Sequence, residues 1–299
     1  MRCICFACLF LINNIIAQQP QDVVINEILF NPLPGGTDYI EIHNRSKAIV
    51  DLKNMQVAGR NSNGQVTNAI KISAQERLLL PGAYCLLTAD SISTAHDYTL
   101  LDPAAVIELS RLPTMPDDNG EILLINAQAN ILDELHYDED WHFKLLNNKE
   151  GISLERINVN DSSQSPLNWH SASATSGHGT PGYRNSQIYM QEIVSSSFTI
   201  DPPIFSPDND GLDDYVTIAY KFPQAGYVVS ITIFNASGSA VKFLARNALC
   251  GINGFFRWDG LDEYVNRLSR GIYILLIDSF NLQGKQSRLK KTITLVRNY

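Results

Sequence analysis

Asp201-Pro-Pro-Ile-Phe-Ser-Pro-Asp-Asn-Asp-Gly-Leu-Asp-Asp-Tyr215 closes one β-rich region of this chain and opens another. Three prolines precede Asp208. Each fixes φ and bars the residue before it from helix, so the backbone enters the acids extended. Asp208, Asp210, Asp213 and Asp214, with Gly211 among them, then make a tight acidic loop ahead of the strand-like Tyr215–Phe222.

Downstream, Val216, Ile218, Tyr220 and Phe222 alternate with Tyr215, Thr217, Ala219 and Lys221, the period-2 pattern of a strand with one buried face. Val229, Ile231 and Ile233 repeat it, and Asn235-Ala-Ser-Gly238 turns the chain into Ala240–Leu244. Trp258-Asp-Gly260 ends another short strand. Gly271–Asp278 and Lys290–Arg297, joined through Asn281-Leu-Gln-Gly284, form a last hairpin. About seven strands suit a sandwich of roughly 100 residues, assigned to 201–299.

Upstream, strands are expected at Val23–Phe30, Tyr39–His43, the end of Leu78–Leu87, Val106–Leu109, Glu121–Ile125, Ile131–Tyr137 and Gly151–Ile157. Ile40 and Ile42 share one face; Tyr39, Glu41 and His43 share the other. No stretch holds a long 3.6-residue apolar period, so helix should be minor and the fold class all-β: two tandem sandwiches. Asn158–Asn185 is too poor in apolar residues for a sheet and reads as a wrapping segment pinned by Trp169 and Tyr183. The expected division is 1–17 signal peptide, 18–186 first sandwich, 187–200 linker and 201–299 second sandwich.

The 299 residues, 44% hydrophobic and 18% charged, suit a folded protein of about two domains. Arg2 precedes an apolar run from Cys3 to Ile12, and Ile15-Ile16-Ala17 ends in a small residue. This is the pattern of a secretory signal cut after Ala17, and the run is short of the roughly 20 residues of a spanning helix. The expected location is therefore secreted or cell-surface, with no membrane span once the signal is cleaved. Cys3, Cys5 and Cys8 leave with the signal; Cys85 and Cys250, placed in different domains, are expected as buried free thiols. A formal charge of −8 argues against a phosphate-binding surface, so no nucleic-acid partner is expected.

Family resemblances enter at particular fragments. Val24-Ile-Asn-Glu-Ile28, Tyr39-Ile-Glu-Ile-His-Asn44, Val50-Asp-Leu52, Leu80-Pro-Gly-Ala-Tyr84, Gly151-Ile-Ser-Leu-Glu-Arg156 and Gly179-Thr-Pro-Gly-Tyr-Arg-Asn-Ser186 resemble the bacterial lamin tail domain. That resemblance implies an immunoglobulin-like sandwich on secreted or surface proteins, binding partners rather than catalysing. Phe205-Ser-Pro-Asp-Asn-Asp-Gly211, Ile231–Gly238, Trp258-Asp-Gly260 and Arg270-Gly-Ile-Tyr273 resemble the immunoglobulin-like module of flagellar hook-capping proteins. They are similar also to C-terminal modules of secreted Bacteroidetes proteins, some of which are type IX secretion sorting signals.

Two clusters carry candidate chemistry. Asp208, Asp210, the Leu212 carbonyl and Asp214 fall at alternate positions and offer the hard oxygens calcium requires, a spacing similar to thrombospondin type 3 calcium loops. An EF-hand is excluded, because Thr217 stands where its last ligand must be Glu. The competing reading is an Asx-turn loop whose carboxylates cap backbone amides. Asp133–His142 is an acidic loop with His136 and His142, which lack the i, i+4 spacing of a zinc hydrolase. Tyr137, Trp141 and His142 are instead expected as a contact surface for a partner. Trp258 is expected in the core rather than on a carbohydrate platform.

With no Gly-x-Ser-x-Gly and no Cys–His partnership, the chain is expected not to be an enzyme. The function expected is a surface protein whose first module binds a protein or glycan and whose second spaces, anchors or sorts it. The alternative is a secreted metal-dependent hydrolase or nuclease, or its accessory subunit.

Overall fold

The computed structural model describes residues 19–61, 63–188 and 195–296. The expected signal peptide and its three cysteines lie outside them. Among the described residues up to 188 there are twelve strands: β1 (Val23–Leu29), β2 (Tyr39–Asn44), β3 (Val50–Asp51), β4 (Gln56–Arg60), β5 (Val66–Lys71), β6 (Leu78–Leu79), β7 (Tyr84–Thr88), β8 (Val106–Glu108), β9 (Asn119–Ile125), β10 (Ile131–Asp138), β11 (Leu154–Arg156) and β12 (Trp169–Ser171). One short helix, α1 (Ser91–Asp97), is capped by the Asp90 carboxylate, which accepts from the Ile92 and Ser93 amides.

Sheet order β12-β11-β1-β2-β7-β8 faces sheet order β10-β9-β4-β5, with the pair β3-β6 beside them. The core between the sheets is built from Ile25, Ile28, Ile40, Ile42 and Leu87 on one side and Val57, Ile122, Leu124 and Leu135 on the other. Ile40 and Ile42 thus point inward as their alternation requires. Tyr39, Glu41 and His43 point to the opposite face, and all three are buried there as well. A β-bulge between Ile25 and Glu27 adds Asn26 to β1, so Asn26 and Glu27 both join that outer face.

The second set is β13 (Ser197–Asp201), β14 (Ile204–Phe205), β15 (Val216–Lys221), β16 (Tyr227–Phe234), β17 (Ala240–Cys250), β18 (Asn253–Trp258), β19 (Gly271–Asn281) and β20 (Gln286–Leu295). Sheets β13-β15-β18 and β14-β20-β19-β16-β17 enclose a core of their own. Trp258 is at its centre, 5.3 Å from the rings of both Phe205 and Tyr273, and its Nε1 donates to the Leu261 carbonyl at 2.9 Å. The aromatic core role expected for Trp258 is what the fold uses. Both packed pairs of sheets are sandwiches, and the protein is all-β.

Three expectations change. Trp169–Ser171 is a strand after all, paired to β11, because a single aromatic in contact with the core suffices for a three-residue edge. Ser197–Ile200, placed in the linker, hydrogen-bonds along β15 and alternates in burial, so it belongs to the second sandwich. Gln56–Arg60 and Val66–Lys71 are strands that the sequence reading passed over; their apolar content is interrupted by Gly59, Asn68 and polar residues. Cys85 and Cys250 are free and buried, each with its thiol pushed up to about 12 by burial.

Candidate functional site

The partner surface expected at Tyr137, Trp141 and His142 is rearranged by the fold. Tyr137 is wholly buried: its ring stacks on Phe30 at 4.5 Å and its hydroxyl donates to the Pro116 carbonyl at 2.9 Å. Strand β10 alternates, and position 137 falls on its core-facing side. His142 is buried too, with Nδ1 2.8 Å from Ser171 Oγ, and burial lowers it to about 3, so it stays neutral. Neither is an exposed anchor. Trp141 alone remains partly exposed, and it opens onto something the sequence did not predict.

That feature is a groove of about 470 Å3 where the two sandwiches meet. Trp141, Phe143 and Leu167 line it from the first; Gln224, Ile252 and Leu282 line it from the second. Leu167 is 91% exposed and Leu282 53%, unusual for leucines at the mouth of a mainly apolar cleft. Gln224 and Gln283 pair at 3.1 Å on its rim, and Lys144 pairs with Asp140 at 3.1 Å. His142 also lines it, and its Nε2 has no hydrogen-bond partner.

The seam that makes the groove is polar and apolar by turns. The Ile252 amide donates to the Ser186 carbonyl at 2.9 Å, Gln187 Nε2 reaches the Cys250 carbonyl at 3.3 Å, and the Thr175 and Tyr220 hydroxyls are 2.5 Å apart. Phe143 packs against Val228 and Leu249. Gly251 is required here: a Cβ would stand 2.5 Å from the Ser186 carbonyl oxygen.

Behind the seam lies the most concentrated electrostatics of the first sandwich. Glu41, Glu27 and Glu155 stand directly opposite one another on β2, β1 and β11, all with no exposed surface. The segment from Gly177 to Gln187 crosses over them as a strap. Glu27 accepts from Tyr39 OH (2.6 Å), Ser153 Oγ (2.6 Å), the Thr180 amide (2.9 Å) and Thr180 Oγ1 (2.6 Å). Glu155 accepts from Ser186 Oγ (2.8 Å) and the Gln187 amide (2.9 Å), and its other oxygen is 2.9 Å from Thr180 Oγ1. Glu41 takes Asn26 Nδ2 (2.8 Å) and the amide of Gly182 (2.5 Å), whose φ of +86° aims that N–H inward. Asn185 fastens the strap to the Asn26 and Arg156 carbonyls.

Burial drives all three carboxyls up. Glu155 rises to about 8 and Glu41 well above the ordinary range, and the charge on Glu27 adds to both. Glu27 is raised by burial against four donors that favour its anion. The wrapping segment expected over Asn158–Asn185 exists, but carboxylates hold its end, with Trp169 serving as an edge-strand residue. His43, next along β2, stacks on Tyr84 at 4.5 Å and is lowered by burial to about 4.

The acidic loop takes the shape of an Asx-turn cluster. Asp214 accepts from the Asn209 amide (2.6 Å) and the Gly211 amide (3.0 Å), Asp210 from Leu212 (2.8 Å), and Asp208 from Ser206 Oγ (3.0 Å). Asp208, Asp210 and Asp214 also bring one carboxylate oxygen each within 4.8 Å of one another. Among the described residues this is the one such gathering of three metal-capable side chains. His136 is exposed and pairs with Glu121 at 3.1 Å, far in role from the buried His142.

Comparison with known proteins identifies part of the chain. Residues 16–139 match the family model of the Lamin Tail Domain, which covers the strands from β1 through β10. No curated protein matches. Among solved structures, PorU of Porphyromonas gingivalis aligns at 10% identity and a TM-score of 0.27, over 88% of this chain and 18% of that one. PorZ of the same organism, a surface component of its type-IX secretion system, aligns at 11% and 0.27, over 90% and 38%. CopC of Methylosinus trichosporium aligns at 14% and 0.23, over 35% and 97%. At these scores the alignments establish no kinship, and this chain spans well under half of PorU and PorZ. Among the described residues no helix is long and apolar enough to cross a membrane.

Proposed function

We propose that this chain is a non-catalytic, extracytoplasmic binding protein whose partner, a surface protein or glycan, seats in the groove between the two sandwiches. The observation that carries this is the groove itself: an apolar cleft at a domain seam, with Trp141 and two exposed leucines at its mouth and amides on its rim. The lamin-tail match of residues 16–139 is in keeping with a module of this kind.

The environments of the histidines are in keeping with the non-catalytic part. His43 stacks on Tyr84, His136 pairs with Glu121, His142 lies against Ser171 and His170 lies 5.4 Å from Phe143. A base needs a nucleophile and an oxyanion donor within reach of one reacting atom; His43 and His136 are committed away from the groove, and His142, which lines it with His170, is kept neutral by burial with Nδ1 against Ser171. The second sandwich serves as spacer, anchor or sorting signal, and Asp208, Asp210 and Asp214, with the Leu212 carbonyl, would take calcium at its entrance.

Tryptophan fluorescence tests the groove directly. Trp258 lies in the second core and away from the groove, so a ligand-induced change reports Trp141 and Trp169, which both line it. Titration with a panel of defined surface glycans and with envelope proteins should give a saturable shift. Leu167→Asp and Leu282→Asp should each weaken it at least about tenfold, the loss of one apolar anchor, while leaving thermal unfolding within a degree or two, since both side chains are exposed. Equal binding by the variants would place the partner elsewhere.

A further inference from the structure

We propose that the row Glu41–Glu27–Glu155 is a proton-held clamp on this groove: shared protons lock the Gly177–Gln187 strap, and through it the second sandwich, and the hold weakens as pH rises. The proposal rests on the groove reading only for its consequence; the clamp itself is a property of the unliganded chain.

The geometry forces the protons. Antiparallel register sets the three carboxyls side by side on neighbouring strands, where like charges directly opposite destabilise a sheet. Thr180 has a single hydroxyl hydrogen, yet two carboxyl oxygens claim it, Glu27 Oε2 at 2.6 Å and Glu155 Oε1 at 2.9 Å. With both carboxyls ionised, one of those oxygen–oxygen contacts has no hydrogen in it and must open. With a proton on Glu155, its O–H donates to Thr180 Oγ1, which donates onward to Glu27, and every contact is satisfied. Glu27, with four donors, holds the negative charge.

What the clamp holds is the seam. Glu155 Oε2 binds both Ser186 Oγ and the Gln187 amide, and the Ser186 carbonyl accepts the Ile252 amide of the second sandwich. Ile252 lines the groove. Losing the Thr180 contact frees the strap from Thr180 toward Ser186, and the groove loses its fixed wall.

The groups facing the row do not titrate in competition with it. Tyr39 on β2, Tyr98 beyond α1, and Tyr84 and Cys85 on β7 are all raised by burial and remain neutral. On the strap, Tyr183 is raised to about 12 and His178 is lowered by burial. Arg184 faces the Glu41 end, near Tyr84. Arg156, beside Glu155 in sequence, is committed to Asp133. Glu155 itself rises to about 8 while buried and returns to the ordinary glutamate range when the strap opens. With Glu41 raised as well, the closed form therefore binds at least one proton more than the open form between about pH 4.5 and 8, and opening is favoured at least tenfold per pH unit across that window.

Residue-resolved amide exchange on the unliganded protein, corrected for base catalysis, tests this. The amides of Thr180, Gly182, Gln187 and Ile252 should exchange at least about tenfold faster per pH unit from 5 to 8, while core amides of β16 and β19 stay level. Glu155→Gln, whose amide donates to Thr180 at every pH, should make the response shallower by about a factor of ten per pH unit. A response in Glu155→Gln equal to wild type, a flat wild type, or an acceleration shared by the β16 core would each overturn the clamp. Should that variant not fold, carboxyl titration of the wild type by NMR decides: a glutamate midpoint near 8 supports the clamp, and all glutamates below 5.5 refute it. Because no partner is present, failure of glycan or protein binding in the groove leaves this result readable on its own.

Discussion

The amide and carbonyl of Ile25 are held by side chains where a neighbouring strand would otherwise pair. Asp133 accepts from the amide at 2.9 Å, and Arg156 donates to the carbonyl at 3.0 Å. Strand β11 reaches β1 only at Glu27 and Ile28, so the edge before the bulge needs substitutes, and the Arg156–Asp133 pair at 3.1 Å supplies them. Ser163 Oγ completes the carboxylate's shell. A buried pair of this kind adds little over an apolar replacement, but stripping one partner strands a charge. Arg156→Met should thus cost roughly 3–5 kcal/mol in urea denaturation. Adding Asp133→Leu should return part of that loss; no recovery would mean the arginine matters for its bonds to the Ile25, Asn158 and Asp161 carbonyls rather than to Asp133. At Tyr137 the expectation is also structural. Tyr137→Ala should cost about 3–5 kcal/mol, as for other buried aromatics, with binding by the folded fraction unchanged. Weakened binding at preserved stability would restore it to the contact surface.

At the scale of single elements, the Ser206–Asp214 loop shows two readings of the same residues coexisting. Its carboxylates cap their own backbone, as an Asx-turn cluster does, and three of them still gather oxygens within 4.8 Å. Calcium binding to the folded loop alone would stabilise by mass action. Millimolar calcium should raise the melting temperature of the second sandwich, and Asp208→Ala with Asp210→Ala should remove the shift. A wild-type melt indifferent to calcium would leave only the capping role. The strap makes the complementary case. It has almost no apolar content and no regular structure, yet its amides and hydroxyls are what solvate three buried carboxyl groups.

Over the whole molecule these groups predict how stability follows pH. The raised Glu155 and Glu41 bind protons in the folded state that the unfolded chain releases above about 4.5, so their contribution falls as pH climbs toward 8. His43 and His142, lowered to about 4 and about 3, stay neutral in the folded state while the unfolded chain takes up protons below about 6.5. Their contribution is lost as pH drops toward those folded values. The two slopes oppose each other between about 4.5 and 6.5, so thermal stability should be broadest there and decline on both sides. A melting temperature that keeps rising from pH 6 to 8 would contradict the assignment of protons to the glutamate row.

Local pattern alone determined that this is a two-core β protein. Ile40 and Ile42, Val216 through Phe222, and the turn residues at Asn235–Gly238 and Asn281–Gly284 encode strands and reversals through nearest-neighbour sterics and a period of two. The core role of Trp258 and the buried cysteines followed in the same way. What only tertiary structure decided is what each strand's second face meets. Glu41 looks like a solvent-facing position until the strap, more than a hundred residues later, covers it. Glu27 points outward because a bulge at Asn26 shifts the register. Yet four of the six fragments that carried the lamin-tail resemblance hold members of that network: Glu27, Glu41, Glu155, and Thr180 with Asn185 and Ser186. The motif marked the residues without revealing their contact, because hydrogen bonds that close over such separations depend on how sheets stack, and a linear alternation of polar and apolar residues carries no record of that.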